Sequence, residues 1–527
     1  YSFEPSSDLT SITLDGCSIS ILVNACHLPL TSQTESEDYM TWVHYVVLRI
    51  QPFSETRTTS AAVGLMLLQA RSSYCPESGE EDVRKAIESA RDAFPAWRSQ
   101  TGRARSRILR RWYELVHENR DDLARLIWLE NGKIISDAYG EVDFANSFLE
   151  WYSEEAARIY GDVIPHSSSG FQVSAVKEPV GVCAMLVPWN FPAAMVTRKL
   201  GPALAAGCTV VIKTAGETPF TANAIVVLAE RAGVPKGAIN VVTALDNTPL
   251  VGKALCQSDI VRKVSFTGST RVGKLLMEQS ASTLKKLSLE LGGNAPFIVF
   301  NDADIDVAVQ AAVASKFKSS GQTCVCANRF MVQSKIYPEF ISRLKCAVSK
   351  LSVGLPGEDG TTMGPLISAA AADRMKLLVD ESVREGAEIE LGGHKRDEVG
   401  PAFFAPTILS NVQKDMRICK EEIFGPIAPV SRFDTEEDAI NAANECDVGL
   451  ASYLYTTSLN RSARCSTALQ SGMVAINTGV ISNAAAPFGG IKHSGVGREG
   501  GRYGLEEYLQ IKTIVAGDTL ADHRARL

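Results

Sequence analysis

From residue 181 onward the chain alternates short apolar runs with segments of helical character. That alternation constrains the fold more than any other feature. Residues 181–187 and 208–213 are mostly apolar stretches of strand length, and 239–242 and 263–267 add two more. Residues 193–206 and 219–232 carry the helices between and after the first pair. Continuous hydrophobicity suits strands buried on both faces, as in a parallel sheet. Strand–helix–strand repetition therefore implies a doubly wound α/β unit, which binds ligands beyond the carboxyl ends of its strands. Gly268-Ser269-Thr270-Arg271-Val272-Gly273 follows one such strand and opens a helix. Backbone N–H groups at a helix start attract phosphate. Alone the motif is equally an ordinary turn and N-cap, but its position after a strand favours phosphate.

Two further motifs frame a second α/β unit that starts near Gly292. Glu290-Leu291-Gly292-Gly293-Asn294 opens the stretch, and Gly321-Gln322-Thr323-Cys324-Val325-Cys326 closes it. A strand-like run at 297–300 and a helix-like run at 305–317 separate them. One strand and one helix return a chain to the same end of a sheet, so Glu290 and Cys324 can face one pocket. Singly, a cysteine is most often a buried small hydrophobe and a glutamate a solvated surface group. Together, a thiol and a nearby carboxylate equip covalent catalysis with a separate water-activating base.

These two motifs, in this order and spacing, resemble the active-site signatures of the NAD(P)-dependent aldehyde dehydrogenases, and the likeness runs from about Pro76 to about Val515. It implies a Rossmann-type cofactor domain, an α/β catalytic domain and a small β oligomerisation arm. It also implies roles. Cys324 would attack the aldehyde to give a thiohemiacetal. Asn190, in Pro188-Trp189-Asn190-Phe191-Pro192, would hold the oxyanion with a backbone N–H at Cys324. Glu290 would activate the water that hydrolyses the thioester, so a free acid is the expected product. Relatives that pass the acyl group to coenzyme A typically lack this glutamate. For NAD or NADP the resemblance implies Trp189, Lys213, Gly268, Ser269, Gly273, Glu422 and Phe424. The family often carries Lys-Pro-x-Glu at the adenosine ribose, whereas here Gly216 stands where that carboxylate would be. A carboxylate there repels a 2′-phosphate, so its absence makes NADP acceptable. No metal is implied.

The stretches around Cys324 and at 487–508 look most like succinate-semialdehyde dehydrogenases. Arg198, Lys318 and Ser482 match positions that bind the distal carboxylate in that subfamily. The subfamily has arginine where this chain has Lys318, and lysine keeps the charge but loses the bidentate fork. Broader aliphatic or aromatic aldehydes are the alternative substrates. A non-catalytic or misassembled protein with this fold is the alternative of another kind. Cys326, two residues beyond Cys324, could form a reversible oxidised state with it.

Domain boundaries follow from the same reading. Residues 75–157 and 181–291 form the NAD(P)-binding domain and 292–503 the catalytic domain. A lone exposed hairpin is marginal and gains from a partner; from the residues alone 158–180 reads equally as a simple surface hairpin, and the resemblance favours an arm of residues 158–180 and 504–516. A homodimer or homotetramer is therefore expected. Ser78-Gly79-Glu80-Glu81 reads as a capping box for a helix with Val83, Ala86, Ile87, Ala90 and Phe94 on one face. Residues 1–74 lack the family's usual opening and have no transit character, and they are expected to be poorly ordered. Residues 517–527 read as a polar tail.

The totals agree with this reading. A chain of 527 residues, 45% hydrophobic, can bury two or three cores. A net charge of −7 without a basic cluster implies neither a nucleic-acid nor an anionic-membrane partner. No apolar run reaches the roughly eighteen residues of a membrane span. The 12 cysteines lack metal-ligand spacing and fit a reducing compartment, the cytoplasm first and the mitochondrion as the alternative.

Overall fold

The computed structural model describes residues 9–14, 17–23, 46–49 and 75–517. The chain divides into two units, Tyr1–Ser60 and Ala61–Leu527. In the first, β1 (Leu9–Leu14), β2 (Cys17–Val23) and β3 (Val46–Arg49) form an antiparallel sheet in the order β1-β2-β3. The expectation of poor order for the remainder of 1–74 lies outside the described residues, as does the expected tail beyond Gly517.

The second unit opens with four helices: α1 (Glu80–Arg98), α2 (Gly102–Glu118), α3 (Arg120–Asn131) and α4 (Ile135–Glu155). α1 buries Val83, Ile87, Ala90 and Trp97, while Ala86 and Phe94 are half-buried. Its cap differs from expectation by one residue. Gly79 is the N-cap, and its N–H donates to Asp82 Oδ2 at 2.8 Å. Ser78 instead joins the sheet edge, where its hydroxyl accepts from Thr243 N at 3.2 Å.

Next come β4 (Asp162–Ile164), β5 (Phe171–Pro179), β6 (Val182–Leu186), α5 (Ala194–Ala206), β7 (Thr209–Thr214) and α6 (Pro219–Arg231). They are followed by β8 (Ile239–Thr243), α7 (Thr248–Gln257), β9 (Val261–Thr267), α8 (Thr270–Ser280) and β10 (Lys286–Glu290). Every residue of β6 and β7 is buried, as continuous apolar strands between two helical layers must be. All of α5 is buried too, which places its Arg198 and Lys199 inside the protein.

The second sheet begins with β11 (Ala295–Val299), α9 (Ile305–Lys316) and β12 (Ala327–Gln333). It continues with β13 (Glu388–Leu391), β14 (Thr407–Ser410), β15 (Ile427–Phe433), β17 (Ala451–Tyr455) and β18 (Met473–Ile476). Short strands β16 (Val448–Gly449) and β19 (Ile491–Lys492) pair with each other. β20 (Gly495–Val496) and β21 (Leu509–Gly517) close the chain.

Three sheets organise these strands in the orders β20-β10-β9-β6-β7-β8, β13-β14-β15-β12-β11-β17-β18 and β21-β5-β4. The first two are parallel except for antiparallel edges at β20 and β13. This is the mixed α/β architecture expected. β20 pairs with β10 from across the chain, Gly495 opposite Glu290. Gly495 has φ +127°, and a Cβ there would lie 1.8 Å from the Leu289 carbonyl. Only glycine allows this close approach at the end of β10. Among the described residues, no helix is long and apolar enough to cross a membrane.

Candidate active site

Glu290 ends β10, Gly268 follows β9, Lys213 lies near the end of β7, and Asn190 lies beyond β6. All four stand at carboxyl ends of parallel strands, where such sheets build sites. The turn after Glu290 then meets the Cys324 loop. A Cβ added to Gly293 would lie 2.5 Å from the Cys324 carbonyl oxygen, so the turn must be glycine to pass so close. Asn190 approaches from the other side, its Nδ2 donating to Gln322 O at 3.0 Å. An amide nitrogen carries two hydrogens, so one remains for another acceptor.

The cysteine loop is strained and tightly held. Ser319, Ser320 and Gly321 have φ of +50°, +55° and +74° in succession. Such backbone persists only where surrounding contacts over-determine it. Here Ser319 N donates to Asp137 Oδ2 at 3.0 Å, and Ser320 Oγ donates to Gly364 O at 2.8 Å. Gln322 Oε1 accepts from Ile367 N at 2.8 Å. Cys324 itself is half-buried. Burial pushes its thiol well above the usual range, the Glu290 charge adds to the rise, and Arg198 opposes it.

Glu290 is 3% exposed, and neither carboxylate oxygen has a hydrogen-bond partner among the described residues. Burial raises its pKa to about 8, with Arg198 pulling down and Glu499 pushing up. A buried, unsolvated carboxylate of that pKa holds its proton at neutrality and, once ionised, is a stronger base than an ordinary carboxylate.

Arg198 is placed beneath this carboxylate. Its Nη2 lies 3.8 Å from Glu290 Oε2, its Nε lies 2.5 Å from Glu499 Oε2, and its guanidinium stacks on Phe488 at 4.3 Å. Lys199, the next residue, ion-pairs with Glu499 and donates to Ser265 Oγ at 3.2 Å. Burial works to raise Glu499, but Arg198 and Lys199 hold it below the ordinary carboxylate value. Sequence reasoning missed Lys199 and Glu499, since a pair 300 residues apart leaves no local pattern. Lys318 is exposed and makes no ion pair among the described residues, its Nζ lying beside Gly140 of α4. Ser482 is half-buried in the loop after β18. The structure thus joins Cys324, Glu290, Asn190 and Arg198.

The residues expected at a dinucleotide fit one. Gly268 and Ser269 lead into α8, where Ser269 Oγ accepts from Val272 N at 3.4 Å. Gly273 packs on Leu291, which a Cβ would meet at 2.4 Å. Glu422 is half-buried, its Oε1 accepts from Gly293 N at 3.2 Å, and desolvation raises its pKa to about 7. Such a group is suited to hydroxyls. Trp189 and Phe424 meet edge to face, their ring centroids 5.6 Å apart. Burial lowers the Lys213 pKa, opposed by the charges of Glu217 and Glu77. Cys326 is buried, its thiol donating to Lys316 O at 3.4 Å.

Fold and site define a class: α/β oxidoreductases in which a thiol and a carboxylate flank a dinucleotide cleft. The Aldehyde dehydrogenase family model matches residues 68–514, and the chain belongs to that family. It is 52% identical over 442 residues to the succinate-semialdehyde dehydrogenase [NADP(+)] GabD of Escherichia coli, covering 84% of this chain and 91% of that one. The same identity and coverage relate it to a glutarate-semialdehyde dehydrogenase of Pseudomonas aeruginosa. A crystal structure of succinate-semialdehyde dehydrogenase from Burkholderia pseudomallei superposes with a TM-score of 0.83, at 51% identity, covering 85% and 92% of the two chains.

Proposed function

We propose that this protein oxidises succinate semialdehyde to the carboxylic acid, with NAD or NADP as hydride acceptor. One observation carries the reading: the Gly293 turn packs on the Cys324 carbonyl, so a buried base and a thiol share one site. Cys324 adds to the aldehyde carbon, and its thiol proton is released to solvent. The remaining Asn190 N–H and a backbone N–H at Cys324 hold the oxyanion. Losing one such donor typically costs about 3–4 kcal/mol of transition-state stabilisation. Glu422, Trp189 and Phe424 would hold the nicotinamide, which would supply the hydride acceptor. Glu290 in its ionised form then takes a proton from the water that hydrolyses the thioester and passes it to the departing Cys324 sulfur, which regenerates the thiol.

Lys318, Arg198 and Ser482 are assigned to the distal carboxylate. Lys318, exposed and without an ion pair among the described residues, supports this, and both relatives named above act on semialdehydes that carry a second carboxylate. Arg198 favours a second reading, because Glu499 and Glu290 already engage its charge. On that reading only Lys318 and Ser482 face the substrate, and neutral aldehydes compete. The compartment assigned is the cytoplasm, whose reducing conditions keep Cys324 a thiol. The test is NAD(P)H formation with succinate semialdehyde, glutarate semialdehyde, propanal and benzaldehyde, with each cofactor. A kcat/KM at least tenfold higher for the semialdehydes supports the assignment. Equal rates with propanal discard the anionic pocket and keep the chemistry.

A further inference from the structure

Asn190 and Cys324 belong to different α/β units, yet an oxyanion site needs their relative position fixed to a fraction of an ångström. The first two turns of α4 touch both. Asp137 Oδ2 accepts from Ser319 N at 3.0 Å and so holds the strained start of the cysteine loop. One turn further on the same helix, Glu141 Oε1 accepts from Ala193 N at 2.8 Å, just beyond the Asn190 segment. Residues four apart project on one face of a helix.

Lys133, between α3 and α4, completes the arrangement. Its Nζ ion-pairs with Glu141, donates to the Asn190 carbonyl at 2.6 Å, and sits 3.6 Å from the centroid of the Phe191 ring. The Lys133 and Glu141 side chains are 3% and 0% exposed. Asn131 Nδ2 adds a bond to the Trp189 carbonyl at 2.9 Å. Desolvating two charges is expensive, and an apolar pair often packs as stably. What an apolar pair cannot do is hold a carbonyl and an N–H of the Trp189–Ala193 segment in fixed directions.

We infer that Lys133, Asp137 and Glu141 are positioning residues that set the distance between the Asn190 amide and the Cys324 thiol. They touch neither substrate nor cofactor; they act through the two loops. The inference rests on the reading of Asn190 and Cys324 as the reacting pair. It is independent of the natural aldehyde and of the cofactor.

The test compares two reactions of the same thiol. Acylation by p-nitrophenyl acetate passes through an oxyanion: the Cys324 sulfur–carbonyl bond forms, and p-nitrophenolate leaves. Alkylation by iodoacetamide displaces iodide and forms no oxyanion. Both are run on the full chain without cofactor, as Glu141→Gln, Asp137→Asn and the parent, with Cys324→Ser as the background. The expected result is acylation slowed by about tenfold to a hundredfold, with alkylation within twofold of the parent. Asp137→Asn, at a half-buried site, decides the matter if Glu141→Gln does not fold. Proportional loss of both reactions, or loss of neither, overturns the inference. If Cys324→Ser reacts like the parent, the reading of the nucleophile fails instead, and the two failures are distinguishable.

Discussion

Glu290 shows how a single buried residue trades stability for chemistry. Its pKa rises from the ordinary 4.5 to about 8 because burial removes water and no hydrogen bond replaces it. The folded protein therefore holds a proton that the unfolded chain releases. The stabilising contribution is fully present below pH 4.5 and is lost as pH rises through about 8. Between pH 6 and 9 the parent should lose denaturant stability relative to Glu290→Gln, as read from urea midpoints. A parallel pH response of the two would show that the carboxylate is not perturbed in the fold. The same substitution should preserve one rapid equivalent of NAD(P)H per site while steady turnover falls by roughly 10²–10⁴-fold. A trapped acyl adduct on Cys324, seen by mass spectrometry, would place the block at hydrolysis. An absent burst would move the role of Glu290 to the first step.

At the scale of elements, what could be read from the sequence depended on distance along the chain. The parallel strands, the helices between them and the two glycine-bearing motifs are local patterns, and each appears within a few residues of its expected bounds. The ties that aim the site are not local. Lys133 reaches Asn190 across 57 positions, and Lys199 reaches Glu499 across 300. Arg198 was legible as a cation, but nothing in its neighbours revealed that Glu499 would claim it. The end proposed for adenosine is a similar case. Gly216 suggested a ribose site without a carboxylate, yet that space is filled, since a Cβ there would lie 2.7 Å from Leu245. The Leu245 and Asn247 N–H groups in turn bind the Glu77 carboxylate at 3.0 and 2.6 Å, and its charge reaches Lys213. A carboxylate thus enters from α1's approach instead of from β7. Glu77→Gln should tighten NADPH binding relative to NADH by roughly threefold to tenfold, from the loss of one like charge near the 2′-phosphate. Cofactor fluorescence titration reads this without turnover. An unchanged ratio would leave Glu77 a loop anchor only.

For the whole molecule the decisive surface is the three-stranded sheet β21-β5-β4. Register places Ile511, Val515 and, across β5, Ile164 on one face. They are 71%, 56% and 45% exposed. Strand β21 is also an edge, with a row of backbone groups unpaired among the described residues. An apolar face beside an open edge is what sheet proteins normally bury or blunt. A second copy of the chain can cover both, its own strand extending the edge and its own apolar face adding to the contact. We therefore propose that this sheet is the oligomerisation arm. The double substitution Ile511→Asp, Val515→Asp should convert the oligomer to monomer, measured by light scattering on a sizing column. Isolated surface charges change a monomer's stability little, so the variant should keep its far-ultraviolet circular dichroism. The sheet also leads through Tyr508 into Glu507, which binds Ser288 Oγ of β10 at 2.9 Å. Separating the arms should therefore loosen the strand that ends in Glu290, and turnover should fall with the loss of oligomer. A monomer with full turnover would uncouple the arm from the site, and an unchanged oligomer would place the interface elsewhere.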